Sequence, residues 1–183
     1  MINNKQSMLG SNNIQIIGNN NNIQSAMAPS QQQVLTHSLI HELLDIVYSL
    51  PTSTNRSYSL NSPVQIHAKL RFNNARKYIH IIDNHADDYA RVDEVMKDYP
   101  DSEIIVKKLH DMFIEVAEFD ENGIPCIGNG DAQLESIKST LFRTIISDSK
   151  FDVDRHPVEI IDQFCIALIA YGVSKCKILE TPV

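Results

Sequence analysis

Pro157 to Leu179 reads PVEIIDQFCIALIAYGVSKCKIL, and its centre decides the fold. Ile161, Phe164, Cys165, Leu168, Tyr171 and Cys176 recur at helical spacing. Between Phe164 and Val173 the helix is apolar nearly all round. Such a helix needs neighbours on every side, so the spacing predicts the core helix of a bundle. The apolar run is about half of the roughly 20 residues that a bilayer requires, and Glu159 and Asp162 stand just before it.

Working back from that helix, residues 151–156 read as a connector. Asp131 is placed to cap a preceding helix with Leu134, Ile137, Leu141 and Ile145 inward. Asp120 to Gly130, DENGIPCIGNG, is a loop by its glycines and proline. Before it, Asp101 or Ser102 caps a helix burying Ile105, Leu109, Met112, Phe113 and Val116. Tyr99-Pro100 stops an earlier helix, capped by Asn73 or Asn74, on which Tyr78, Ile82, Ala86, Tyr89, Val92 and Met96 follow one face. Val64, Ile66, Ala68, Leu70 and Phe72 alternate with polar residues, which predicts an extended segment with one buried face. Ser62-Pro63-Val64-Gln65 argues the other way, as a helix start. Gln31 to Leu50 carries a wide leucine stripe through Leu35, Leu39, Leu43, Val47 and Leu50, ended by Pro51 and a polar loop to Ser62.

The expected fold is therefore mainly α. Residues 34–183 form a bundle-like domain of about five helices with one extended segment, after an Asn/Gln-rich tail over 1–33. Six glycines and seven prolines in 183 residues argue against an all-β sandwich. A formal net charge of -7 argues against a general nucleic-acid binder, which should carry the opposite sign. Cys126, Cys165 and Cys176 contain no CxxC pair and read as free thiols in a reducing compartment. Cys165 and Cys176, eleven residues apart on one expected helix, would lie roughly 16 Å apart, too far for a disulfide. With no secretory signal, the expectation is a cytoplasmic protein without a membrane span.

The tail carries a single charge, Lys5. Asn12-Asn13-Ile14-Gln15 recurs as Asn21-Asn22-Ile23-Gln24, with Ile16-Ile17-Gly18-Asn19-Asn20 between. Composition alone describes a solvated linker. The repeat suits a short hairpin, or strands stacked between identical chains by amide ladders.

Candidate chemistry is sparse. His37, His41 and Asp45 follow at i, i+4 and i+8 opposite the leucine stripe, where a metal site competes with an ordinary solvated face, and the face is favoured. Asp148, Asp152 and Asp154 lie near Arg155 and His156, but lack the glycine and terminal glutamate of a calcium loop. Gly128-Asn129-Gly130 before a helix resembles a phosphate-cradling turn, although Asp131 would repel phosphate. Lys69, Arg71, Arg76 and Lys77 make a basic patch around Phe72-Asn73-Asn74, read as solvated flanks or as a docking surface for an acidic partner or an RNA. No cofactor is implied by any of these.

Two stretches carry a family resemblance. Leu70-Arg71-Phe72-Asn73-Asn74-Ala75 precedes the helices through Val116, and Lys175-Cys176-Lys177-Ile178-Leu179-Glu180 closes the apolar helix. Together they resemble the helical C-terminal domains of prokaryotic ABC-three-component systems, over about residues 60–183. The resemblance implies a conflict or antiphage role, an ABC ATPase encoded nearby, and an adaptor domain with no catalytic residues to carry over. No effector domain precedes the helical part, which departs from the usual layout. Asn13 to Asn21 also looks like the amyloid signalling motifs typified by the RIP homotypic interaction motif, with Ile17 shifting the register before Gly18.

The functional expectation is a non-enzymatic adaptor that binds a partner protein, with an ABC ATPase-containing complex implied and homo-oligomerisation expected. Ile14, Gln15, Ile16, Gly18 and Ile23 are the expected self-association positions, and Phe72, Asn73 and Asn74 the expected partner positions. An oligomer interface in the helical part should use surplus apolar positions such as those of the all-round helix. The alternative is a small metal-dependent hydrolase or nuclease component using Asp152, Asp154 and His156.

Overall fold

The computed structural model describes residues 37–49 and 63–182. Among these run seven helices: α1 (Leu39–Ser49), α2 (Pro63–Phe72), α3 (Arg76–Asn84), α4 (Ala86–Asp98), α5 (Ser102–Val116), α6 (Gly130–Ile146) and α7 (Val158–Ser174). A short antiparallel hairpin joins α5 to α6, with β1 (Glu118–Phe119) paired to β2 (Pro125–Cys126). The mainly α class is as the sequence predicts. The expected self-association positions Ile14, Gln15, Ile16, Gly18 and Ile23 lie outside the described residues.

The centre is α7. Every residue from Phe164 to Val173 is buried, and the helix packs against α2, α3, α4, α5 and α6. Burial of a side chain the size of Phe164 is worth about 1.5 to 3 kcal/mol. The apolar surplus of this helix is thus consumed within the domain, and the expectation that it supplies an oligomer interface is corrected. No helix among the described residues is long and apolar enough to cross a membrane.

The extended segment is also corrected: Val64–Phe72 belongs to α2, opened by Pro63 at its first turn. Ile66, Lys69, Leu70 and Asn73 are buried, at the 0, +3, +4, +7 spacing of one helical face, while Ala68 and Phe72 are exposed. Alternation misled because Ile66 and Leu70 sit at even spacing in either geometry. The long helix expected from Asn73 to Asp98 is two helices, divided at His85, whose Nδ1 lies 3.0 Å from Asp88 Oδ2.

The last helix ends earlier than its composition predicts. Cys176 has φ +57°, the Lys177 N–H donates to Gly172 O and the Cys176 N–H to Val173 O. This is a Schellman turn with cysteine where glycine usually stands. It folds Ile178 back onto Gly172 and buries Ile178 and Leu179. Cys176 therefore leaves the helix and is exposed, whereas Cys165 is fully buried and Cys126 half-buried.

Burial pushes the Cys165 thiol up to about 12, with the Asp162 carboxylate adding to the shift. Native protein titrated with Ellman's reagent at pH 8 should release close to two thiolates per chain. The third should follow only on unfolding. Three fast equivalents would show the core to be open.

Candidate functional site

Three side-chain groupings follow from this fold, and the first is structural. Asn73 and Asn74 cap the C-terminus of α2 rather than the N-terminus of α3. The Asn74 N–H donates to Arg71 O and the Ala75 N–H to Leu70 O, with Asn74 at φ +57°, again a Schellman turn. Asparagine tolerates that left-handed conformation better than most residues. The Asn73 side chain is buried. Its Nδ2 donates to Lys69 O (2.9 Å) and Glu180 O (2.7 Å), and its Oδ1 accepts from the Glu180 N–H (2.9 Å). The two stretches that carry the family resemblance thus meet through one amide. Asn73 is consumed internally, so its assignment as a partner-binding residue is corrected.

The glycine turn before α6 closes the same junction. The Gly130 N–H donates to Asn73 O (2.9 Å), and Asn74 Nδ2 donates to Gly128 O (3.2 Å). Asn129, not Asp131, caps α6 by accepting from the Ala132 N–H. Asp131 instead caps a different helix: its two oxygens accept from the N–H groups of Lys77 and Tyr78 in the first turn of α3, each at 3.2 Å. With Gly130 N–H engaged and a carboxylate in place, this turn is a joint and not a phosphate cradle.

The second grouping is cationic. Arg71, Arg76, Ile79 and His80 line a cleft of about 440 Å³ between α2 and α3. Lys77 pairs with Glu135 at 3.6 Å, but no carboxylate among the described residues pairs with Arg71 or Arg76. Phe72, beside Arg71, keeps 37% of its surface exposed. Lys69 does not belong to this patch. It is buried, its Nζ donates to Val173 O, and burial holds its ammonium below the usual range. A separate groove of about 680 Å³ runs between α1, α5 and α6, with Leu39, Ile40, Ile104 and Ile105 lining it beside Lys108 and Arg143.

The third grouping takes His41 and Asp45 from the helix face expected to be solvated and joins them to His156. His41 is buried at 2% exposure, and His156 at 4%. The connector before α7 brings His156 Nε2 to 2.6 Å from Asp45 Oδ1, where Arg155 also approaches at 3.4 Å. His41 stacks edge-on against both His156 and Phe151, each with ring centroids 6.0 Å apart. One donor atom each from His41, Asp45 and His156 lie within 4.8 Å of one another. His37, by contrast, is half-exposed and pairs with Glu42.

Asp148 supports this grouping from behind. Its side chain is wholly buried, accepts from the Ser38 and Lys150 N–H groups, and lies 3.7 Å from His41 Nδ1. Burial opposes its ionisation, but those backbone donors and the imidazoles of His41 and His37 prevail and hold its carboxyl below the usual range. Asp152 and Asp154 are exposed, with Asp152 Oδ1 accepting from the Asp154 N–H, and the His156 ring turns to Asp45 instead. The Asp152/Asp154/His156 set is therefore not assembled.

No family model, curated protein or solved structure matches the chain.

Proposed function

We propose that the chain is a non-enzymatic adaptor of a prokaryotic conflict system, docking an acidic segment of a protein partner on the Arg71/Phe72/Arg76/His80 face. One observation carries the reading: two arginines that no carboxylate among the described residues pairs with flank an exposed phenylalanine on a molecule whose net charge is -7. An acidic protein has carboxylates to spare, so leaving these two cations unmatched reserves them for an outside anion. Arginine and aromatic side chains together are the chemistry that dominates protein interfaces. The patch also falls on one of the two stretches that resemble the ABC-three-component domains. That resemblance makes an ABC ATPase-containing complex the partner to test. The 1–33 tail, with Ile14, Gln15, Ile16, Gly18 and Ile23 as its stacking positions, would supply self-association.

The test is co-expression with any ABC ATPase component found encoded alongside, followed by calorimetry of the purified pair. Arg71→Glu combined with Arg76→Glu should weaken binding more than tenfold without changing the helical circular dichroism. The wild-type affinity should fall with added salt. Lysine at both positions should keep most of the binding. Ile104→Asp, in the groove between α1, α5 and α6, should leave it intact. Loss of binding in Ile104→Asp with retention in the double glutamate would move the docking site to that groove. The absence of an encoded ATPase, or a preference of this face for RNA, would sink the reading.

A further inference from the structure

We propose that His41, Asp45 and His156 form a site for one divalent ion of the zinc, cobalt and nickel class, which staples α1 to the connector before α7. Two imidazoles and one carboxylate are the donors that such borderline ions take, whereas magnesium and calcium call for oxygens alone.

The decisive atom is His41 Nε2. It is buried and has no hydrogen-bond partner among the described residues. A buried imidazole nitrogen left in that state needs a reason, because nearly all buried polar atoms in native proteins are satisfied. The other nitrogen of the ring, Nδ1, faces the wholly buried Asp148 carboxylate at 3.7 Å. That carboxylate favours the tautomer with the proton on Nδ1, which leaves the Nε2 lone pair open. A carboxylate behind a histidine is the usual support of a metal-ligating imidazole.

His156 and Asp45 supply the remaining two ligands. Without an ion they hold each other by a hydrogen bond of 2.6 Å. Two ligands of a tetrahedral ion stand about 3.3 Å apart when each is roughly 2.0 to 2.1 Å from the metal. Binding therefore breaks that hydrogen bond, spreads the pair by under an ångström, and forms a metal–nitrogen and a metal–oxygen bond. The proton between His156 Nε2 and Asp45 passes to the other ring nitrogen, Nδ1, which frees the Nε2 lone pair for the ion and keeps the imidazole neutral. The Asp45 side chain is 30% exposed, which opens the fourth position to a water. Both imidazoles are closed off from solvent, which suits a structural ion better than a reaction centre.

The full chain, stripped with a chelator and dialysed, is titrated with Co(II) and then Zn(II). The expected result is one ion per chain, a visible Co(II) absorption displaced by Zn(II), and a raised Tm. Asp45→Asn and His156→Gln should each lower the affinity at least tenfold. His37→Ala should not change it, because this exposed imidazole belongs to the alternative pair His37/His41 on the helix surface. Absence of saturable binding by either ion overturns the proposal. So does binding that His37→Ala removes and Asp45→Asn keeps. If the ligand variants fail to fold, stoichiometry and the Co(II) spectrum of the wild type, with His37→Ala as control, decide the matter.

Discussion

Gly130→Ala is expected to destabilise the domain by about 3 kcal/mol, although helix propensity alone forecasts a gain. Gly130 opens α6, and replacing glycine by alanine in an unstrained helix ordinarily stabilises by about 0.4 to 1 kcal/mol. Its backbone here has no positive φ to excuse the glycine. The reason is proximity. A Cβ at position 130 would overlap the Asn73 carbonyl oxygen and crowd the Ala75 Cβ. Neither neighbour is the free end of a flexible side chain, so the backbone itself must move. Moving it strains the hydrogen bond from Gly130 N–H to Asn73 O and the cap that Asp131 lends to α3. At about 2 to 4 °C per kcal/mol for a domain of this size, thermal unfolding should come roughly 10 °C earlier. An unchanged or higher Tm would mean that α6 does not approach the end of α2 so closely.

Asn73→Ala should cost about 3 kcal/mol and release the segment after α7. Three hydrogen bonds disappear, and the backbone N–H and C=O of Glu180 lose their partner in a half-buried position. Asn73→Asp is the sharper variant. Its carboxylate could still accept from the Glu180 N–H, but the second oxygen would face the carbonyls of Lys69 and Glu180 with no proton to offer. It should be at least as damaging as alanine. Hydrogen exchange at the Glu180 amide gives the local reading: both variants should speed it while the α7 amides stay protected. Equal protection of Glu180 in the wild type and in Asn73→Ala would remove the amide from its role as a clasp.

Most of the helical plan was legible because it rests on local periodicity. Ten successive core residues announce α7, and the buried faces of α5 and α6 match their heptad-like spacing. The junctions were not legible. Asp131 looks like a cap for its own helix and serves another whose first turn lies 53 residues away. Lys69 looks solvated and is buried beneath Val173. The metal-binding constellation was half visible, in the one-turn spacing of His41 and Asp45. Two facts hid the rest. His156 is separated from Asp45 by 111 positions, and α1 buries a wider face than its leucines alone would require. The neighbourhood of His41 with Ile40 on the flank of that stripe was the available signal.

The placement of α7 has a bearing on how the molecule is made. Translation delivers α1 through α6 before the helix that most of them pack against. At about 5 to 20 residues per second, roughly 6 to 25 s separate the synthesis of α1 from that of α7. Until α7 emerges, the faces of α2 to α6 that pack against it have no native seat on the nascent chain. They are there for a holdase chaperone or an overeager protease to find, and the arrival of α7 ends the opportunity.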